Sequence, residues 1–509
     1  MASKRQRISD DDPLTRAIAP PPNESPAERE QRISKEQEAK RVSDAIDEEL
    51  NRQRIAEKKG PKPIKILLLG QSESGKSTTL KNFQLMHSPK AFRAEKASWR
   101  AVIQLNVVQS INAILDLITK AHAASHPSPS SSHSRPPTAQ KDYPPITPEH
   151  LKLKMRLAPL IQVEVALVRK LAPQTQIEPS TYSSTATSSS HREIFVNSSV
   201  GWKNAFNKLI TSVGNGRNSC DSADMIDWSD PEDPGVVLHA CSEDMIRLWA
   251  DPTIRKLMEM EKMRPEEMAG FFLDALERVT SPRYVPTDDD ILRARLKTVG
   301  VSEHSFTMKA GPLGSAMSHH WRVYDVGGQR SLVAAWVPYF DDMNAIIFLA
   351  PVSCFDQVLQ EDPSVNRLAD SFLLWKNIVS HPLLKKTDLV IFLNKCDILR
   401  AKLESGIRLG DYITSYGNRP NDFESASVCE FFVSLHGPSP ATRVAGPTHL
   451  YDELDLKKKF AALMKEHAGD RPFYCHFTSV TDMKSTSLIL ENVQDVIVRD
   501  NLKRSKLVG

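Results

Sequence analysis

Lys76 and Ser77 lie near the end of the stretch GQSESGKST, residues 70–78, which follows the apolar run Ile64, Ile66, Leu67, Leu68, Leu69. The pattern GxxxxGK[ST] is a phosphate loop. Gly70 and Gly75 let successive backbone N–H groups turn toward phosphate oxygens, and the helix that starts behind them adds its positive end. Lys76 then reaches the β and γ phosphates, and the Ser77 hydroxyl holds magnesium. An apolar strand before the motif, with Leu80 and Phe83 in a helical pattern after it, makes the match specific.

Three further segments complete the chemistry. DVGGQR, residues 325–330, places Asp325 to hold magnesium through water, the Gly328 amide on the γ-phosphate and Gln329 on the attacking water. NKCD, residues 394–397, selects the base: Asp397 accepts from both N1–H and the 2-amino group of guanine, a donor pair adenine lacks, while Asn394 faces N7 and Lys395 lies along the ring. DILRARLKT, residues 290–298, offers Arg295 to neutralise charge on the transferring phosphoryl group and Thr298 to complete the magnesium shell.

Each group needs an element to hold it. Trp321 to Tyr324, Ala345 to Ala350 and Leu389 to Leu393 read as strands followed by helical sequence, as a mostly parallel sheet requires. Trp99, Ile103, Val107, Ile111, Ile114 and Ile118 recur at the period of one helix face, and helical patterns resume over 155–172 and 242–279. Helix-rich sequence therefore interrupts an α/β nucleotide domain. Ser/Pro/His-rich stretches inside it, about 121–150 and 173–235, read as disordered insertions, and 434–450 as a surface-loop insertion. A leader, 1–26, precedes a charged helix, 27–59, which on composition is either simply solvated or a partner's contact.

Composition bounds the partners. The 509 residues carry a net charge of +3, too near neutral to argue for nucleic acid or a membrane surface. The six cysteines, 220, 241, 354, 396, 429 and 475, show no metal spacing and read as reduced thiols. No run reaches the ~18 apolar residues of a membrane span, and no secretory signal is visible, so an intracellular protein is expected. Ala2 stands where N-myristoylation needs glycine.

With these motifs in this order, the chain resembles the α subunits of heterotrimeric G proteins over most of 27–118 and 236–505. GQSESGKST, DILRARLKT, DVGGQR, FLNKCD, FTSVTD and SCFDQVLQEDPSVNRLADS carry the likeness, and the insertions resemble expanded fungal members. The resemblance implies a Ras-like GTPase domain, 60–90 and 296–509, with a mostly parallel sheet between helices, and an inserted all-α domain, 91–295. It assigns Arg295 its role as an arginine supplied in cis, pairs Glu73 with it in the GDP state, and adds Ser74, Thr78, Leu292 and Arg293 to the nucleotide contacts. Val480 would bring its N–H to guanine O6. GTP or GDP with Mg2+ are the implied ligands. The implied partners are a βγ dimer on helix 27–59, a seven-helix receptor at the last helix, about Leu488 to Leu502, and an effector. The place would be the cytoplasmic face of the plasma membrane, reached through those partners.

Departures from the family pattern sharpen the expectation. Ser331, Leu332, Val333, Ala334 and Ala335 replace a mostly charged second switch, leaving Asp370 without the arginine the family puts at Val333. Ser72 replaces a glycine near where Arg295 and Gln329 converge, so its side chain is expected to crowd Gln329 and slow hydrolysis. A working GTPase, a GTP-binding scaffold with little turnover, and a different P-loop enzyme remain distinct readings, the last disfavoured by NKCD.

Overall fold

The computed structural model describes residues 25–59, 63–125, 143–171, 195–197, 233–299, 301–309, 318–328, 336–427 and 456–504, except for 262, 268, 269, 360, 414, 415 and 470. Residues 1–24 of the leader, the loop 434–450 and Gln329 with Ser331 to Ala335 lie outside these residues. Two compact units form, Met1–Pro63 and Ile64–Gly509.

The first unit holds α1, Pro26–Lys59. Ser25 starts it as a capping box: its Oγ accepts from the Glu28 N–H at 3.4 Å, and Glu28 Oε2 accepts from the Ser25 N–H at 2.9 Å. Val42, Ile46 and Leu50, four residues apart on one face, are 49%, 54% and 51% exposed.

The second unit begins with β1 (Ile64–Gly70), α2 (Lys76–His87) and α3 (Pro89–Ala94). An all-helical layer follows: α4 (Lys96–Ser125), α5 (Pro148–Arg156), α6 (Leu160–Leu171), then, after the short strand β2 (Phe195–Asn197), α7 (Pro234–Ala240), α8 (Ser242–Ala250), α9 (Pro252–Met260), α10 (Leu276–Val279) and α11 (Asp288–Arg293). The chain returns through β3 (Lys297–Val299), which pairs with β2, into β4 (Val301–Lys309), β5 (Ser318–Val326), β6 (Ala345–Pro351), α12 (Arg367–Val379), β7 (Asp388–Asn394), α13 (Cys396–Glu404), α14 (Phe423–Ser427), α15 (Leu456–Ala468), β8 (Tyr474–Thr478) and α16 (Met483–Arg504).

Six strands form one sheet in the order β4-β5-β1-β6-β7-β8, with β4 antiparallel to β5 and every other pair parallel. The continuous apolar runs of β1 and β6 follow from burial on both faces. Leu67, Leu69, Phe348 and Ile391 pack with Trp375 of α12 and Phe460 of α15, whereas Ile66, Leu68 and Ile347 pack with Phe83 of α2 and Leu490 and Val493 of α16. The register pairs Leu68 with Asp325, Gly70 with Leu349 and Asn394 with Thr478, so the site-bearing loops leave the sheet at the same edge.

The helical layer has its own core around α4, in which Trp99, Ile103, Val107, Ile111, Ile114 and Ile118 are all buried. Here the sequence expectation needs correcting. Ser98–Ser125 is long and apolar enough to cross a membrane, but 72% of its apolar window is buried inside the protein. A helix surrounded by other helices is apolar on several sides, which explains the composition. The insertion bounds also take in ordered residues: 121–125 finish α4, 148–150 open α5, 195–197 form β2 and 234–235 begin α7.

A buried ionic cluster ties the helical layer to the sheet layer. Lys402 of α13, 3% exposed, meets Glu267 Oε2 at 2.6 Å and Asp356 Oδ1 at 2.5 Å, and Arg264 reaches the same two acids at 3.1 and 2.8 Å. Removing one partner of a buried set strands the remaining charges, at a cost of about 3–5 kcal/mol. Lys402→Ala should lower unfolding stability by that order in urea denaturation, and a change within experimental error would contradict the account.

Candidate nucleotide site

The phosphate loop turns at residues that tolerate no ordinary side chain. Gly75, the N-cap of α2, has φ +103, and a Cβ there would strike Asn394 Nδ2. At Gly328 a Cβ would run into Lys76 Nζ and the backbone of Gln71. The backbone thus closes around a cradle, and Ser74 Oγ, fully buried, has no hydrogen-bond partner in it. These features fit a bound phosphate chain.

Lys76 Nζ donates to the carbonyls of Gly70 at 2.8 Å and Gln71 at 2.6 Å. Burial depresses its pKa to about 8, with Asp325 opposing and Arg367 reinforcing the shift. Ser77 Oγ donates to Asp325 Oδ2 at 2.7 Å. This hydroxyl and carboxylate are hard oxygen donors suited to magnesium alongside phosphate and water. Thr298 lies in β3 opposite Val196 of β2.

Arg295 meets the loop through Glu73. Its guanidinium lies 2.5 Å from Glu73 Oε1, while Arg367 NH1 lies 3.4 Å from Oε2. Arg367 NH2 also donates to the Ser72 carbonyl at 2.8 Å. Beside it, Gln71 Nε2 donates to Asp370 Oδ2 at 2.5 Å and to the Arg367 carbonyl at 2.8 Å. Asp370, read from the sequence as lacking its arginine, is buried here against Gln71, a residue the motif reading had passed over.

The arginine segment is braced from below. Lys81 Nζ donates to the Ile291 and Ala294 carbonyls at 2.9 and 2.7 Å and lies 4.2 Å over the Trp99 ring. Asp290 accepts two bonds of 2.7 Å from Arg278, one of 3.0 Å from Tyr284 OH and one of 2.9 Å from the Thr287 N–H. Burial opposes its charge, yet these donors hold its pKa down at about 2. The T-x-x-D capping pattern of Thr287 and Asp290 was the available sequence signal. Thr78 Oγ1 donates to the Leu292 carbonyl at 3.4 Å, and Arg293 pairs with Asp289 at 3.1 Å on the exposed side.

At the base end, Asn394 is completely buried and joins three loops. Its Nδ2 donates to the Ser74 carbonyl at 2.7 Å, and its Oδ1 accepts from Thr478 Oγ1 at 3.1 Å and from the Val480 N–H at 3.2 Å. The Val480 N–H expected at guanine O6 is thus directed at Asn394 in this structure. One Nδ2 hydrogen lies outside these bonds. Lys395 has a left-handed backbone, φ 64, and burial lowers its pKa. Asp397 stands exposed in the first turn of α13.

Comparison with known proteins agrees with this geometry. The model of the G-protein alpha subunit family matches residues 40–497. The chain is 30% identical to the guanine nucleotide-binding protein alpha-4 subunit of Mycosarcoma maydis, with 99% of this chain and 97% of that protein covered. It is 27% identical to the alpha-2 subunit of Neurospora crassa, covering 90% and 94%, and 28% identical to the alpha-1 subunit of Caenorhabditis elegans, covering 86% and 89%.

Lys76 generates a pH prediction. Phosphate charge raises the pKa of a lysine beside it, so the bound form keeps a proton that the free form loses above pH 8. GDP affinity should be flat below about pH 7 and fall by about tenfold per unit above 8. A flat fluorescence-titration profile through pH 9 would contradict this.

Proposed function

The chain belongs to the G-protein α-subunit family, and on that premise we propose a receptor-driven GDP/GTP switch that hydrolyses GTP slowly with Arg295 supplied in cis. Members of this family bind guanine nucleotide, act as GTPases and signal with βγ partners and receptors. The observation that carries the finer reading is the Glu73–Arg295 ion pair at 2.5 Å, which docks the arginine on the phosphate loop.

Gly70, Gly75 and Lys76 bind the phosphates, and Asp397 selects guanine, with the Val480 N–H reaching guanine O6 only on leaving Asn394. Ser77, Thr298 and, through water, Asp325 would hold Mg2+, which when bound would neutralise phosphate charge. Gln329 orients the attacking water, and Arg295 leaves Glu73 to stabilise charge spreading over the transferring phosphoryl oxygens. Ser72 is partly buried, and the Arg367 guanidinium donates to its carbonyl, which fixes the loop backbone that carries its side chain. That constraint supports slow turnover. It also favours the second reading, a signalling scaffold with almost none.

The half-exposed stripe Val42, Ile46 and Leu50 suits α1 to a βγ dimer, and α16 is the receptor contact. The working place is the cytoplasmic face of the plasma membrane, reached through those partners.

GTPγS uptake and single-turnover GTP hydrolysis on the purified chain test the reading together. Uptake should be stoichiometric, Arg295→Ala should slow hydrolysis by about a thousandfold or more, and Ser72→Gly should speed it by about a hundredfold. An unchanged Ser72→Gly rate would remove the explanation for slow turnover. Uptake with no hydrolysis in either chain would favour the scaffold.

A further inference from the structure

Arg295 lies in the short connection between α11 and β3, outside any helix or strand. Its backbone direction must therefore come from something other than a helical or sheet ladder. Asn106 of α4, 6% exposed, supplies it. The Asn106 amide accepts from the Arg295 N–H through Oδ1 at 2.8 Å and donates from Nδ2 to the Arg295 carbonyl at 3.0 Å. One side chain thus satisfies both backbone groups of the same residue, as a neighbouring strand would.

The surroundings leave the pair little freedom. The Gly270 N–H donates to the Arg293 carbonyl at 3.0 Å, and a Cβ on Gly270 would lie 2.9 Å from the Asn106 amide and 3.1 Å from the Arg295 Cβ. Lys81 fixes Ile291 and Ala294 from the phosphate-loop side. Of these braces, Asn106 alone bonds the arginine's own peptide groups, and it comes from the helical layer, whereas Glu73, which holds the side chain, belongs to the loop.

We propose that Asn106 is a positioning residue for Arg295: it sets the arginine's backbone so that the guanidinium, once released by Glu73, swings to the γ-phosphate and not away from it. The inference rests on the reading of Arg295 as the arginine in cis. It makes the helical layer a contributor to hydrolysis.

A double-mutant cycle tests it. Asn106→Ala should bind GTPγS with unchanged affinity yet hydrolyse GTP about a hundredfold more slowly, the order expected for an Ångström-scale misplacement. In an Arg295→Ala background the same change should cost nothing further. Equal slowing in both backgrounds would overturn the inference, because a merely structural loss does not depend on the arginine. If Arg295→Ala is slow while Asn106→Ala matches the unmodified chain, the inference alone falls. If Arg295→Ala is not slowed, both the reading of the arginine and this inference fall. Should Asn106→Ala not fold, Asn106→Asp, which keeps the acceptor for the Arg295 N–H and loses the donor to its carbonyl, reads the same cycle.

Discussion

A single carboxylate sits where three parts of the molecule meet. Glu73 holds a left-handed backbone, φ 61, uncommon for a residue with a side chain, and this turns its carboxylate out of the phosphate loop toward Arg295 and Arg367. Side-chain exposures of 11%, 20% and 14% exclude most solvent from the group, so the charges interact more strongly than on an open surface. The loop, the arginine segment and the start of α12 are fastened through it. Loss of any one charge would leave another poorly compensated.

The sheet makes that junction possible. Parallel pairing of β5, β1, β6, β7 and β8 sends every following loop off one edge, and the site is assembled from loop ends that share no strand. Asn394 ties those ends together at the base side, as Glu73 does at the phosphate side. Between them Lys76 bonds to loop carbonyls, the acceptors from which a phosphate chain would draw it. The Lys402 cluster fastens the helical layer to the sheet layer at a separate point, so the two layers, each with its own core, are joined by ionic contacts at both places.

The reading from sequence reached what local pattern encodes. Strands β5, β6 and β7 were legible because burial on both faces demands unbroken or alternating apolar residues, and α4 was legible from its period. The phosphate-loop glycines and Lys76 were legible because a strand–loop–helix turn of that spacing leaves few alternatives. Residues defined by distant partners were not. Asn106 contacts a residue 189 positions away and Gln71 one 299 positions away, and neither stands in a pattern that announces it. Asp370 lacks the arginine at Val333, as its sequence shows, but its bond to Gln71 was not visible for the same reason. The apolar character of α4 was underestimated because its charged ends and few polar residues obscure a window whose other side chains face protein.

The central claim is that these loop ends form one guanine nucleotide site. Equilibrium competition for bound GTPγS tests it directly. GTP and GDP should displace the analogue at comparable concentrations, while ATP at about a hundredfold excess should not, since its base cannot satisfy Asp397. Displacement by ATP as effective as that by GTP would contradict the account.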